Sequence, residues 1–294
     1  LAPTLYLRPR FMSIYRWLAI TVLVLVVLVP LMAISLVGSE TGSRWILTQG
    51  QKYLSVDIQY KAFNGTLLNE FEFEDFRFES ETFSYTPNKL IINWDPLALL
   101  SGVIRIDNIE SLGGEIRLRA AQNSSQNADS EASVEDIQIE LPLDVNLRNL
   151  LVKESRFFIL ETPSQELTIE ASARANADGQ LNIRQFRLEH QYLTTEISGK
   201  TKLSYPFKSE LENNTHFHSP DFPSLKVKTE IAGDIRSLTT NSELSEGLVG
   251  EVTAKIDNPL NELTWQFDSN WQQNNLSLWL ASVGADQVEL SFAG

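Results

Sequence analysis

The chain contains no cysteine. Structural disulfides, thiolate nucleophiles and cysteine-ligated zinc or iron–sulfur sites are therefore excluded. Basic residues are scarce as well, because 24 lysines and arginines stand against 38 acidic residues and give a formal net charge of −14. A chain this acidic repels phosphate backbones, which argues against nucleic acid as a partner.

The sequence also lacks the common catalytic motifs, with neither a G-x-S-x-G elbow nor a Walker loop. His216 and His218 have the spacing of two metal ligands on one strand, but the chain has only three histidines, and the flanking residues are typical of a loop. Glu72 and Glu74 could form an acid/base pair, although alternating acids on a wet strand face are the ordinary explanation. We therefore predict a protein that is not an enzyme and needs no cofactor or metal.

One long apolar run is present: residues 17–37, WLAITVLVLVVLVPLMAISLV, contain no charged side chain. As a helix this run would measure about 31 Å, close to the thickness of a bilayer's hydrocarbon core. Three arginines precede it. With residues 17–38 as a signal anchor, the positive-inside rule places residues 1–16 in the cytoplasm and predicts that the residues after 38 are exported. A cleaved signal peptide is the alternative, but its apolar region usually has only about 7 to 15 residues.

After this run the apolar spacing changes. Residues 39–55 have the pattern of a short amphipathic helix. From Val56 onward apolar residues recur at every second position, in segments such as VIRIDN, ELTIEASARAN and LKVKTEIAGDI, as expected for half-buried strands. Turn sequences separate the segments, among them LGGE at 112–115 and NADGQ at 176–180, and a polar run at 121–133 indicates a surface loop. The exported part is therefore predicted to be all-β.

Within this alternation one irregular spacing recurs, in which apolar residues are separated by two, three and two positions. It occurs at 71–78, 145–152 and 181–188, with weaker copies at 104–109 and 235–238. An extra residue within a strand turns the following side chains to the other face unless a bulge absorbs it. The spacing therefore predicts a recurring bulge or bend.

Most of these segments are apolar on one side only. A closed two-layer sandwich core is the ordinary explanation and the one that periodicity alone favours. The alternative is a sheet that curls and leaves an open apolar lining. Trp265, Trp271 and Trp279 could stack on carbohydrate, but we expect them to fill the apolar side of the sheet or to line the groove.

Three segments carry a family resemblance: TGSRWILTQGQKYL, FNGTLLNEFEFEDFRFES and LIINWDPLALLSGVIRIDNIESLGGEIRL. The most specific element is WDPLALLSG, in which Trp94, Asp95, Pro96 and Leu97 form the motif. In these segments the chain resembles the TamB family, the inner-membrane subunits of the translocation and assembly module, which are related to AsmA-like proteins. The matching motifs are structural and carry no catalytic residues.

The resemblance implies an all-β fold after one N-terminal transmembrane helix. The sheet would be elongated, curled and antiparallel-rich, with a hydrophobic inner groove, in the manner of a β-taco. The cytoplasmic residues 1–16 and the anchor at 17–38 would precede a short periplasmic helix at 39–55 and a repetitive periplasmic β-domain at 56–294, truncated at its C-terminal end. The chain opens with Leu1, and Met12 is an alternative start.

The same resemblance implies a single-pass inner-membrane protein that works in outer-membrane biogenesis. Its partners would be the inner membrane through residues 17–38, phospholipid, and an Omp85-type outer-membrane protein similar to TamA, reached through a C-terminal region that this chain lacks. An alternative is a periplasmic scaffold or chaperone that assists the insertion or secretion of outer-membrane β-barrel proteins and autotransporters. The residues expected to line a lipid groove are Phe71, Phe73, Ile104, Ile106, Ile116, Leu118, Leu147, Ile183 and Ile197.

Overall fold

The computed structural model describes residues 28, 31–32, 34–51, 57–80, 83–118, 141–159, 162–220, 222–258 and 263–271. Strands dominate this part of the chain. Its helical elements include α1 (Glu40–Gln51) and a 3-10 helix (Pro96–Ser101). The strands are β1 (Asp57–Gln59), β2 (Ala62–Gly65), β3 (Glu70–Glu74), β4 (Arg77–Glu79), β5 (Phe83–Thr86), β6 (Lys89–Asp95), β7 (Val103–Leu118), β8 (Asp144–Ile159), β9 (Thr162–Ala175), β10 (Gln180–His190), β11 (Leu193–Lys202), β12 (Ser209–Ser219), β13 (Phe222–Asp234), β14 (Ser237–Glu246), β15 (Gly250–Asp257) and β16 (Thr264–Trp271).

The predicted membrane span lies mostly outside the described residues, as does the predicted loop at 121–133. Of the span, Leu28 and residues 31–32 and 34–37 are described, and they are helical. Within the part of the chain that the structure describes, no helix combines the length and the hydropathy needed to cross a bilayer. Helix α1 falls inside the segment predicted to be a short helix.

All sixteen strands belong to one sheet, which is curled but not closed on itself. From β8 to β16 each strand pairs antiparallel with the next strand along the chain. Strands β7 and β8 are parallel to each other. The described strands supply no second sheet to pack against this one, so the closed sandwich that periodicity favoured is wrong for this part of the chain.

Strand β7 is the point at which the sheet divides. Its first half pairs with β6 and its last residues pair with β5. Between these pairings lie Gly113 and Gly114, with φ of 62° and 114°, in the left-handed region that glycine adopts readily. A Cβ on Gly114 would lie 2.3 Å from the carbonyl oxygen of Thr86. The turn predicted at 112–115 is therefore wrong, because the two glycines lie inside a strand and let two branches of the sheet meet there.

The irregular apolar spacing produces bulges in three strands. The register shifts within 104–109 of β7, opposite β6, within 145–152 of β8 and within 181–188 of β10. The bulges of β7 and β8 are neighbours, and Arg148 Nη1 donates to Asp107 Oδ1 across them at 2.8 Å. The predicted bulge is confirmed at these three places, since the residue out of alternation is polar and the apolar residues on either side keep to one face.

The other two copies of the spacing have different structures. At 71–78 strand β3 ends at Glu74, Asp75 has a φ of 48°, and β4 begins at Arg77. The weak copy at 235–238 falls in the hairpin turn between β13 and β14, so a bulge there is wrong. A bulge and a strand break both place one residue out of alternation, which is why the spacing alone does not separate them.

The packed core lies at the N-terminal end of the sheet, on β2, β3 and β6. Its centre is the aromatic cluster: Phe63, Phe71, Phe73 and Leu90. These side chains are at most 8% exposed, and the rings lie tilted or edge-on at centroid distances of 5.4–5.9 Å, the arrangement that aromatic quadrupoles favour. Leu47 of α1 packs against the cluster, together with Tyr60 and Phe76. Helix α1 and these two rings therefore cover this end of the sheet.

Candidate functional site

One side of the sheet carries apolar side chains from β7 to β16. Paired residues of neighbouring strands point to the same side, so the strand registers define rows of side chains that cross the sheet. The central row is Ile106, Leu147, Ala173, Ile183, Gly199, Leu211, Ile231, Thr240, Ala254 and Phe267. We call this row, with the parallel rows on the same side, the apolar face.

Two parallel rows extend the apolar face into the packed end of the sheet. One row is Phe71, Ile92, Ile109, Leu150, Ala171, Phe186, Ile197, Asn213, Thr229, Ser242, Val252 and Ser269. The next is Phe63, Phe73, Leu90, Ser111, Val152, Ile169, Leu188, Thr195, Thr215, Val227, Leu244, Gly250 and Trp271. The aromatic cluster and the apolar face therefore lie on the same side of one sheet.

The apolar face differs from a core in its exposure. Leu147, Ile183, Leu211 and Ile231 are all half-buried, whereas the inner faces of a sandwich are covered by a second layer. A few side chains, such as Leu244 at 9% exposure, are buried by their neighbours. The face thus presents a largely apolar surface that ligands can reach, and such surfaces mark binding sites in soluble domains.

The structure locates all nine residues predicted to line a groove. Five lie half-buried on the apolar face: Ile104, Ile106, Leu147, Ile183 and Ile197. Phe71 and Phe73 lie on the same side but inside the aromatic cluster, and Ile116 is 8% exposed. Leu118 ends β7, in backbone register with Ile159. The assignment of these nine residues to a lipid groove stays a prediction.

Sequence reasoning missed other members of the apolar face. Leu211 and Ile231 occupy the central row, next to each other on β12 and β13, but they lie in polar surroundings in the sequence. Ala171 and Ala173 pair with Phe186 and Ile183, and small residues give a weak periodic signal. The strand alternation contains all of these positions, yet only the register between strands assigns them to the same face as Ile183.

Hydroxyl and amide groups interrupt two rows of the apolar face between β11 and β14. Thr195 Oγ1 donates to Asn213 Oδ1 at 2.7 Å, and Thr215 Oγ1 donates to the same oxygen at 3.3 Å. Thr229 and Ser242 pair at 3.0 Å on the next two strands. Since these groups bond to one another, covering them with an apolar ligand costs less than covering unpaired groups. The central row beside them stays largely apolar.

The opposite side of the sheet is charged. Arg187 contacts both Glu189 and Glu196, and its hydrogen bond to Glu189 raises the pKa of the guanidinium. Asn214 and Lys228 donate to Glu212 and lower the pKa of that carboxyl. The concavity lined by Arg187, Glu196 and Lys228 lies on this side, and its cations are matched by carboxylates. This side is suited to water rather than to an apolar ligand.

The residues considered for chemistry have structural contacts. His216 and His218 lie within β12, so the expectation that they belong to a loop is wrong, and His216 Nε2 forms a hydrogen bond of 2.8 Å with Ser224 Oγ. Lys89 Nζ lies 2.9 Å from Glu72 Oε2, and this hydrogen bond raises the pKa of Lys89. Glu72 therefore forms a cross-strand ion pair.

The motif residues 94–97 lead into the 3-10 helix between β6 and β7. Asp95 caps this helix: its Oδ1 accepts from the Leu97 N–H at 3.0 Å and its Oδ2 from Arg105 Nη1 at 3.0 Å. Gly102 ends the helix with a φ of 75°. Ala98 faces the protein, whereas Leu97 and Leu100 are 69% and 89% exposed. The motif therefore builds a well-capped turn that holds leucines in solvent.

Aromatic residues also lie exposed on β16, the last described strand. Trp265 and Phe267 are 62% and 51% exposed, and their rings stack at 5.3 Å. Both pair with apolar residues of β15, Ile256 and Ala254, so they belong to the apolar face. This placement agrees with the expected role of Trp265 on the apolar side, and Trp279 lies outside the described residues.

The sequence of the chain also matches a known protein family. A family model described as TamB, N-terminal domain, matches residues 28–163 and 136–294. No curated protein and no solved structure matches the chain. The two matched ranges include the aromatic cluster, the 3-10 helix and the apolar face, and they confirm the resemblance found in the sequence motifs. The chain therefore belongs to the TamB N-terminal domain family.

Proposed function

We propose that the chain is an inner-membrane-anchored conduit that carries phospholipid acyl chains through the periplasm along its apolar face. Membership of the TamB N-terminal domain family indicates a role in outer-membrane assembly or lipid transport. The anchor would be residues 17–38, and the bulk of the chain would lie in the periplasm. An Omp85-type partner in the outer membrane would receive the lipid.

The observation that supports this proposal most is the continuity of the central row. It crosses ten strands, from Ile106 on β7 to Phe267 on β16, without a charged side chain. Ten strands at about 4.8 Å spacing extend on the order of 45 Å, more than the length of one acyl chain. A lipid would therefore meet no charged side chain of this row at any step along the sheet.

A lipid that moves through water must cross a large free-energy barrier. Exposing an acyl chain costs about 0.8 kcal/mol per CH₂ group, so a free phospholipid crosses an aqueous space very slowly. An apolar face that stays half-exposed removes most of that cost while the headgroup remains in water. The chain needs no catalytic residue for this role, and the direction of transport would come from other components.

Photocrosslinking tests the proposal residue by residue. A photoreactive amino acid is placed at Ile183 or Ile231 on the apolar face, and at their chain neighbours Asn182 or Glu230, which are exposed on the charged side. We expect phospholipid adducts in mass spectra of the purified full chain from the isoleucine positions and not from the two controls. Adducts from neither side of a folded protein would refute the conduit.

A charge on the apolar face is the matching functional test. Ile183→Asp places a carboxylate on a half-buried position, so the sheet should stay folded while lipid adducts at Ile231 are lost. Ile116→Asp is a poor probe, because Ile116 is 8% exposed and a buried charge would unfold its surroundings. A folded Ile183→Asp protein that still replaces the wild-type chain in cells would contradict the proposal.

A chaperone or scaffold for outer-membrane proteins is the second candidate. It is favoured by the strand edges: among the described strands, β1, β2 and β16 each pair on one side only. Such edges accept an incoming strand by backbone pairing. Crosslinks from the backbone edge of β2 to unfolded β-barrel peptides, without lipid adducts at Ile183, would favour this function over the conduit.

A further inference from the structure

We infer that the 3-10 helix Pro96–Ser101 docks on the phospholipid surface of the inner membrane and holds the start of the apolar face against it. The inference rests on the proposed function for the presence of that membrane. It concerns residues that have no part in the conduit itself. Its partner is the outer surface of the bilayer in which the apolar N-terminal run would lie.

The first observation is where exposed apolar side chains occur. Among the described residues, the large exposed ones lie in three stretches of the chain: residues 28–45, 97–100 and 263–271. Leu100 is 89% exposed and Leu97 is 69% exposed. They are held there by the Asp95 cap and by Ser101 Oγ, which donates to the Ala98 carbonyl at 2.8 Å. A rigid turn that keeps leucines in solvent is suited to insertion into an apolar phase.

The second observation ties this turn to the end of the apolar N-terminal run. Ser43 Oγ donates to the Val37 carbonyl at 2.9 Å and accepts from the Leu67 N–H at 3.0 Å. The Leu67 carbonyl accepts from Trp94 Nε1 at 2.8 Å. Val37, the end of the run, is thus linked through Ser43 and Leu67 to Trp94. Trp94 immediately precedes Asp95, the residue that caps the 3-10 helix. A membrane that holds the run would therefore lie close to the exposed leucines.

The third observation is that the apolar face is closed at this end. The aromatic cluster fills the side of the sheet at β2, β3 and β6, where α1 covers it. An acyl chain cannot enter along the axis of the face without displacing the buried Phe63. The first half-buried positions beyond the cluster are Ile104 and Ile106, which lie near the start of β7, the strand after the 3-10 helix. Lipid would therefore approach from the side, next to Leu97 and Leu100.

The charges around the turn permit contact with lipid. The Asp95 carboxylate is 3.0 Å from Arg105 Nη1, so the capping acid is neutralised and does not repel anionic headgroups. Leu99 is also 39% exposed. The turn thus presents an apolar tip on a neutral base, in a chain that is acidic as a whole.

The absence of cysteine allows a direct test with single labels in the full chain. Leu100→Cys is labelled with nitrobenzoxadiazole, and the protein is reconstituted in vesicles of phosphatidylethanolamine and phosphatidylglycerol. Asn241→Cys, exposed on β14, is the aqueous control, and Ile34→Cys reports on the N-terminal run. We expect a blue-shifted emission and quenching by nitroxide-bearing lipids for the Leu100 and Ile34 labels, and neither for the Asn241 label.

Two other outcomes have distinct meanings. A label at Ile34 in lipid with the Leu100 label in water would overturn docking of the turn and leave the anchor in place. Both labels in water would overturn the anchor and, with it, the docking. Lipid adducts at Ile183, measured separately, test the conduit and do not depend on either label. As a functional check, Leu97→Ser with Leu100→Ser should reduce lipid adducts at Ile106 several-fold, and an unchanged yield would count against docking.

Discussion

Two regions of this molecule use the same side of the same sheet in different ways. On β2, β3 and β6 that side is a packed core, with Phe73 at 5% exposure inside the aromatic cluster. On β8 to β15 the same rows continue, but Leu147, Ile183 and Ile231 remain half-buried. The apolar character of the residues does not separate the two regions. The difference lies in what covers them.

The packed region has a covering layer and the long region has none among the described residues. Leu47 of α1, with Tyr60 and Phe76, lies on the aromatic cluster, whereas the described strands beyond β7 pair only with their neighbours in the sheet. A one-sided sheet needs such a layer to form a core. Where it is missing, the apolar residues form a surface that a ligand can cover, which is the physical basis of the proposed conduit.

Replacing one phenylalanine by alanine in each region should give the largest difference in stability between the two regions. Phe73→Ala removes a buried ring and leaves a cavity, so we expect a loss of about 3–5 kcal/mol of stability in the packed region. Phe186→Ala removes a half-buried ring and should cost about 1 kcal/mol. Native-state hydrogen exchange of the β3 and β10 amides measures the two losses separately, because distant parts of a long sheet can open independently. Equal losses would mean that the two regions are not packed differently.

The sequence predicts those features of the two regions that depend on residues close together along the chain. The hairpin turn at 176–180 was predicted correctly because its signal is local: Asn176 Oδ1 accepts from the Gln180 N–H at 2.8 Å. The strands and three of the bulges follow from alternation in the same way. The glycine pair at 113 and 114 was misread as a turn, because its conformation is required by β5 and β6, which are distant from it along the sequence.

The candidate site was predictable in kind but not in detail. Alternation identified Ile106, Leu147 and Ile183, which the register then places in one row. It also selected Phe71 and Phe73, because rings on one side of a strand look alike whether or not something covers them. The covering residues come from α1 and from other loops, and single-strand patterns carry no information about such contacts.

A second, smaller effect concerns the junction between the two regions. Gly114→Ala should cost about 3 kcal/mol, since strain at positive φ and overlap with a backbone each cost about 1–3 kcal/mol; its Cβ would lie 2.3 Å from the Thr86 oxygen and 2.5 Å from Pro87 Cα. Gly102→Ala is the matched control. It has a φ of 75° but no atom within 4 Å of the added Cβ, so only strain of about 1 kcal/mol is expected. Thermal unfolding and hydrogen exchange at the β5 amides measure the loss of stability in both variants. Similar losses would show that the backbone of β7 at Gly114 does not closely approach Thr86 and Pro87.

The smallest expected effect concerns the polar contacts that stabilise a hairpin turn of the long region, which has no covering layer. At the β13–β14 hairpin, hydrogen bonds from the side chain and the backbone N–H of Arg236 lower the pKa of Asp234 to about 2, against about 4 for an ordinary aspartate. Because the folded pKa is lowered, the contact stabilises the hairpin above about pH 4 and is lost as the pH falls through about 2. Carboxyl carbon shifts in NMR should titrate with that midpoint, and Arg236→Gln should raise it toward 4. A midpoint near 4 in the unaltered chain would show that local polar contacts do not hold this turn, leaving the register of β13 with β14 to explain its geometry.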